Sequence, residues 1–223
     1  MLTIAALSKT YRTAEVETRA LDGVSLEIAP GEFVAIMGPS GCGKSTLLGI
    51  LGCLDRPSGG SYRLLGEEVS ALSEAKLARV RRAHVGFVFQ SFNLVNDLTV
   101  AENVEVALLY RRGGGSRKRR IDAVLEQVGL AHRAHHRPRQ LSGGQQQRVA
   151  VARALVSEPK VIFADEPTGN LDTANGAAVM DLLKAAWAGG TAIVMVTHSP
   201  THAAEAGRRI DMLDGRVVGQ ARG

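Results

Sequence analysis

"VSLEIAPGEFVAIMGPSGCGKSTLLGIL", Val24 to Leu51, carries the order strand, Pro-Gly turn, strand, glycine loop, helix. The run Phe33–Met37 is short and apolar, as for a strand covered on both faces. Directly after it "GPSGCGKST", Gly38 to Thr46, matches the phosphate-loop pattern G-x-x-x-x-G-K-[ST] in full. The pattern stands where its chemistry requires, between a buried strand and a helix. Gly38, Gly41 and Gly43 let the backbone turn so that its N–H groups face one anion. Lys44 is placed to reach the β- and γ-phosphates of a nucleotide, and the Ser45 hydroxyl to bind Mg²⁺. Pro39, Ser40, Cys42 and Thr46 complete the loop. Cys42 fills a variable position and reads as a small tolerated residue.

Outward from the loop, apolar strands alternate with helical segments. "RRAHVGFVFQ" holds a strand ending at Gln90, "PKVIFADEP" a deeply buried one, and "GGTAIVMVTHS" a third ending at His198. "TVAENVEVALLY", "IDAVLEQVGL" and "GNLDTANGAAVMDLLKAAW" place apolar residues at helical spacing. "RIDMLDGRVVGQ" fits a hairpin turning at Asp214-Gly215. The alternation predicts a mainly parallel sheet covered by helices. A small antiparallel piece is expected at the N-terminus and an inserted helical lobe between Gln90 and Pro159.

The composition supports a globular chain. Its 223 residues suit one large domain or two small lobes sharing a core. Hydrophobic residues are 45% and aromatics only 4%, so the core must be aliphatic. Cys42 and Cys53 form no ligand pattern and fit a reducing compartment. No secretory signal is visible at the start, and no apolar run approaches the roughly 20 residues that span a bilayer. A cytosolic chain is expected, able to sit against a membrane partner. The net charge of +5 admits nucleic acid, anionic lipid or nucleotide, or merely an arginine-rich composition. "RRGGGSRKRR", Arg111 to Arg120, reads as a solvated loop leading into a helix, with a nucleic-acid or lipid contact as the alternative. "AHRAHHRPRQ" gathers His132, His135 and His136 without a carboxylate or cysteine to complete a metal shell, and reads as a basic loop.

Further residues carry chemistry. In "VIFADE" the strand ends on Asp165, placed to hold the Mg²⁺ shell, and Glu166 follows, able to act as general base on a water attacking the γ-phosphate. The plainer reading of the pair is a helix cap before Pro167. His198 can hydrogen-bond the γ-phosphate or its water. Gln90 can orient water or ligate Mg²⁺ through its amide oxygen. Tyr11 can stack an adenine ring. Each of these three is equally an ordinary residue at its place. Finally "QLSGGQQQRVAVARAL", Gln140 to Leu155, opens with a second glycine turn feeding a helix, a ready anion site that lacks a lysine and a metal hydroxyl.

"GPSGCGKST", "FQ", "LSGGQ", "VIFADEP", "GNLD" and "VTHS" fall in the order found in ATP-binding cassette (ABC) ATPases, and the resemblance covers nearly the whole chain. It implies an α/β P-loop NTPase (RecA-like) core with an N-terminal antiparallel β piece and an inserted helical signature lobe. The core would take residues 1–90 and 156–223, and the lobe 91–155. It implies ATP and Mg²⁺ as cofactors. A second copy is the expected partner, in a head-to-tail dimer around two ATP molecules. Tyr11 matches the adenine-stacking aromatic, Gly38 to Thr46 the phosphate loop, and Gln90 the glutamine that senses Mg²⁺ and couples to the membrane partner. Leu141, Ser142, Gly143, Gly144 and Gln145 match the signature that reaches the other subunit's γ-phosphate. Asp165 matches the Mg²⁺ acid, Glu166 the catalytic base, Asp172 the dimer-crossing aspartate and His198 the switch histidine. Ser199 departs from the pattern, since many relatives carry an acid after that histidine.

"TRALDGVSLEI", "LGCLDRPSGG", "VGFVFQSFNLVNDLTVAENV" and "DEPTGNLD" further resemble the group of lipoprotein-release, macrolide-export and cell-division cassettes. That implies integral-membrane permease subunits as partners, periplasmic accessory proteins through them, and a place on the cytoplasmic face of the inner membrane. The alternatives within the same resemblance are a cell-division or envelope-regulating ATPase that uses ATP as a switch and, behind it, a soluble ABC ATPase acting on nucleic acid or ribosomes. No nucleic-acid partner is expected.

Overall fold

The computed structural model describes residues 1–12, 16–109 and 116–222. In chain order the strands and helices are β1 (Leu2–Arg12), β2 (Glu17–Ile28), β3 (Phe33–Met37), α1 (Lys44–Leu51), β4 (Gly59–Leu64), β5 (Glu67–Glu68), α2 (Glu74–His84) and β6 (Val85–Phe89). There follow α3 (Val100–Glu105), α4 (Arg117–Gln127), α5 (Gly143–Leu155), β7 (Val161–Asp165), α6 (Thr173–Ala188), β8 (Ala192–Val196), α7 (Pro200–Ala203), β9 (Arg208–Leu213) and β10 (Arg216–Arg222). The chain forms two compact units, Met1–Arg81 with Ala192–Gly223, and Arg82–Thr191.

The first unit holds the expected antiparallel piece, with strands in the order β2-β1-β4-β5. Alternation decides its register. Leu2 faces Ile28 and Ile4 faces Leu26, all buried, while Thr3 and Glu27 point outward. At Ala6 the backbone turns left-handed (φ 48°) and the pairing shifts, which moves the next inward residue to Leu7. The same unit holds the uniformly buried strands β3 and β8, paired parallel, with β9 parallel to β3 on its other side. Both read as unbroken apolar runs, as strands covered on two faces must. The hairpin β9–β10 turns at Asp214 (φ 47°) and Gly215 (φ 75°), the pair of positive φ values that a tight two-residue hairpin needs.

The second unit pairs β6 and β7 in parallel. Its helices close over an aliphatic cluster that includes Val100, Val104, Leu125, Leu141, Val149 and Val156. Thr99 starts α3 with a capping box, its hydroxyl accepting from Glu102 N (3.2 Å) while Glu102 Oε2 accepts from Thr99 N (2.7 Å). Of the basic run, Arg111–Gly115 lie outside the described residues. Ser116 caps α4 by accepting from Arg119 N at 3.4 Å, and Arg117, Lys118 and Arg119 are exposed. His132 and His135 are exposed too, while His136 Nε2 pairs with Arg133 at 2.8 Å. No cluster suited to a metal ion occurs among the described residues.

Phe163 on β7 sits opposite Phe87 on β6, their ring centroids 5.9 Å apart, and is wholly buried. Phe163→Ala is expected to lower unfolding free energy by about 3–5 kcal/mol in urea titration. Val218→Ala, at an exposed position, should change it by less than about 0.5 kcal/mol.

Candidate nucleotide site

In the first unit, the loop 38–43 wraps its own lysine. Lys44 Nζ donates to Gly38 O (2.9 Å) and Pro39 O (2.7 Å) and lies 3.8 Å from Cys42 Sγ. Only 5% of the residue is exposed. These partners are two carbonyls and a thiol, none anionic. A buried ammonium without a counter-charge is unfavourable by several kcal/mol, so the loop is built for an anion. The helix start agrees. Gly43 caps α1 without a side-chain bond, and the first-turn N–H groups have no intrahelical carbonyl to reach.

Two glycines of the loop are sterically compelled. A Cβ on Gly38 would stand 2.2 Å from Met212 O, and one on Gly43 2.3 Å from Ala20 O. Both also adopt positive φ, 153° and 98°. The loop is further braced by the terminal hairpin, since Gly215 N donates to Cys42 O (3.0 Å) and Asp22 N to Gly215 O (2.9 Å). Arg216 holds Asp22 in an ion pair. The hairpin that looks like an end-piece in the sequence thus supports the loop.

Pro39, Ser40, Gly41 and Ser45 are exposed and Thr46 half-buried. Tyr11, near the end of β1, is 44% exposed. Its hydroxyl donates to Asp55 Oδ2 (3.0 Å), and Lys9 Nζ lies 4.9 Å from its ring centroid. Lys9 also pairs with Asp55 Oδ1 at 2.7 Å. Burial alone would raise the Asp55 pKa, but bonds from Lys9, the Arg56 amide and Tyr11 outweigh it and hold the carboxyl below its usual value. The hydroxyl and one face of the ring are therefore engaged by Asp55 and Lys9. β8 stops at Val196, and His198 lies exposed in the turn beyond it. Ser199 caps α7, accepting from His202 N at 3.3 Å.

In the second unit, Asp165 ends β7 and Glu166 follows in a left-handed conformation (φ 44°). That backbone costs about 1–3 kcal/mol for a residue with a side chain, and such strain gathers at working sites. The next helix begins only at Thr173, so the pair does not cap one. Gln90, just past β6, is tied to Asn170 twice. Its Nε2 donates to Asn170 Oδ1 (3.2 Å) and its carbonyl accepts from Asn170 Nδ2 (3.1 Å). With Nε2 engaged, Oε1 is the amide atom left for a cation.

The signature segment is explained in large part by its own fold. Leu141 is buried at 7% exposure. Ser142 and Gln145 form a capping box at the start of α5, the hydroxyl accepting from Gln145 N (3.3 Å) and Gln145 Oε1 from Ser142 N (3.0 Å). Accepting there, the Ser142 hydroxyl still has its own proton to donate. Gly143 is exposed and Gly144 buried. Asp172 caps α6, and both its oxygens accept from Asn175, through N (2.8 Å) and Nδ2 (2.7 Å). Those two bonds, backbone first, hold the Asp172 pKa below its usual value.

Three residues that the sequence reading passed over knit these segments together. Asn170 fixes Gln90. Gln147, wholly buried, donates to Pro167 O at 2.6 Å. Arg153 on α5 donates to Phe92 O (2.8 Å) and to Asn93 O, holding two residues at φ 61° and 50°. Polar residues in a helix or a turn give no sequence signal for such long-range bonds.

The ABC transporter family model matches residues 21–169, which run from β2 to the turn after Glu166. The chain belongs to the ABC transporter family. Its P-loop NTPase fold, antiparallel piece and helical signature region are those of the ATP-hydrolysing cassette of that family. The chain is 52% identical over 212 residues to an ABC transporter ATP-binding protein of Thermotoga maritima, covering 95% of this chain and 91% of that one. It is 50% identical over 219 residues to the macrolide export ATP-binding/permease protein MacB of Azoarcus, covering 98% of this chain. It spans only 33% of the length of that relative. Among solved structures it is similar to the ATP-binding cassette MJ0796, described as a dimeric post-hydrolysis state bound to ADP and Pi. The TM-score is 0.93 at 44% identity, over 100% of this chain and 98% of that one. No described helix of this cassette is long and apolar enough to cross a membrane.

Gly43→Ala is expected to abolish binding of a fluorescent ATP analogue and to lower the thermal midpoint. Cys42→Ser, which adds no atom to the loop, should bind within about threefold of the unsubstituted chain, since its thiol gives only a weak contact.

Proposed function

We propose that this cassette hydrolyses ATP as a subunit of a transporter, two copies closing head to tail around two ATP molecules to drive an integral-membrane permease. The observation that carries this reading is the Lys44 ammonium, buried among neutral partners in a glycine loop that a phosphate anion would neutralise. Tyr11 stacks the adenine. Ser45 Oγ, Gln90 Oε1 and Asp165 would hold Mg²⁺, which supplies charge neutralisation at the phosphates. Their donor set is all oxygen, as Mg²⁺ requires. Glu166 takes a proton from water as its oxygen bonds to the γ-phosphorus and the bond to the ADP oxygen breaks. His198 hydrogen-bonds the γ-phosphate or that water.

Ser142 and the amides of Gly143 and Gly144 serve ATP held by the other copy, and Asp172 crosses to it. A second turn without a lysine is half a site, which is why one chain carries two. The dimeric state described for MJ0796 and the ADP and Pi in it support this reading. The MacB relatives, named as macrolide export ATP-binding/permease proteins, support a permease partner and an export role. Periplasmic accessory proteins join through that permease, and the cassette works on the cytoplasmic face of the inner membrane. A switch role in cell division is not favoured.

Glu166→Gln should bind ATP yet hydrolyse it about 10²–10⁴-fold more slowly, and size-exclusion chromatography should show an ATP-dependent dimer. Normal turnover by this variant would remove Glu166 from the role of base. Ser142→Arg should stop hydrolysis while monomer ATP binding persists. Loss of that binding would mean that the signature acts within its own chain.

A further inference from the structure

The two signature glycines differ in what surrounds them. Neither has positive φ, so backbone conformation does not demand glycine at either place. A Cβ on Gly143 would meet only Phe92 Cζ at 3.8 Å and Leu171 Cδ2 at 3.9 Å, ordinary van der Waals contacts. A Cβ on Gly144 would stand 2.1 Å from Asn175 Oδ1, 2.3 Å from its Cγ and 2.7 Å from its Cβ. The amide oxygen could swing away. The Asn175 Cβ could not, because the α6 backbone fixes it. Any side chain at Gly144 must therefore push α5 and α6 apart. Asn175 is in turn the residue whose two N–H donors take both oxygens of Asp172.

We infer that the two glycines answer to different constraints. Gly144 is glycine so that α5 can pack on Asn175 of its own chain, and Asn175 is a positioning residue that sets Asp172 against the signature turn. Gly143 alone leaves room outward. The pair Gly144–Asn175 makes the start of α5 and the start of α6 one body, so that Ser142, Gly143 and Asp172 present a single surface to a second copy. The role of that surface rests on the proposed function. The packing does not, and the two can be judged apart.

The packing is tested by urea and thermal unfolding of the full chain carrying Gly143→Ala, Gly144→Ala, Asn175→Gly, or Gly144→Ala with Asn175→Gly. Gly143→Ala should unfold as the unsubstituted chain does. Gly144→Ala should lower the thermal midpoint by about 5 °C, the effect of a few overpacked atoms in a domain of this size. Asn175→Gly removes the three nearest obstructing atoms, so the double variant should be no less stable than Asn175→Gly alone. Wild-type stability in Gly144→Ala, or simple addition of the two losses, would overturn the packing claim.

Positioning is tested separately in the Glu166→Gln background. Asn175→Asp keeps the size of the side chain, and an acid in the first turn of α6 suits the helix dipole, so the fold is retained. It replaces the Nδ2 donor by an acceptor and sets a like charge beside Asp172. ATP-dependent dimerisation should weaken about tenfold or more, the effect of misplacing one charged contact, with monomer affinity for ATP unchanged. Unaltered dimerisation would remove Asn175 from the role. If Glu166→Gln by itself forms no dimer with ATP, the proposed function fails, while the unfolding series still decides the packing.

Discussion

A buried ammonium with only neutral partners is the constraint on which the nucleotide end of this cassette depends. Lys44 cannot sit among the carbonyls of Gly38 and Pro39 unless the loop curls closely around it. That curl leaves no room for side chains at Gly38 and Gly43, whose neighbours are the backbone oxygens of Met212 and Ala20. Those oxygens belong to strands far apart in sequence. The hairpin at Asp214-Gly215 then closes the arrangement by bonding Cys42 O. The loop is thus shaped from outside by sheet backbone and charged from inside by one side chain. Its electrostatics favour a polyphosphate before any nucleotide arrives.

In the second unit the organising device is polar rather than ionic. Asn170 grips Gln90, Gln147 grips Pro167, Arg153 grips the carbonyls after Gln90, and Asn175 grips Asp172. The first three join the residues around Gln90, the signature helix and the segment after Glu166, and the fourth is local to the start of α6. Strain at Phe92 and Asn93 is held in place by the bonds from Arg153. Bonds from α5 thus reach the residues after Gln90 and the proline after Glu166. Much of the signature itself follows from ordinary helix physics, since Ser142 and Gln145 are a capping box and Leu141 is core.

Strands β3, β7 and β8, the hairpin and the helical run after Gln90 were all legible in the sequence. Their apolar periods and turn residues are local signals that burial merely confirms. The antiparallel piece was legible as a tendency only. Its register depends on the left-handed residue Ala6, and alanine announces no bulge. The acid pair stood out by chemistry at a strand end, yet its alternative as a helix cap fell only because the next helix starts at Thr173. Asn170, Gln147 and Arg153 stayed hidden, because a polar residue looks alike whether it faces water or a partner distant in the chain.

By itself the sequence determined the phosphate loop, the order of the motifs and the family, because each rests on residue types at short fixed spacing. The tertiary structure decided what each motif residue touches. Gly143 and Gly144 are identical in the sequence and opposite in circumstance, one exposed and one pressed against Asn175. Lys44 reads as a phosphate ligand in either view, but its burial without a counter-charge is a property of the fold. The physical reason is the same in both cases: steric and electrostatic constraints act between atoms brought close by folding, and spacing along the chain does not encode that closeness.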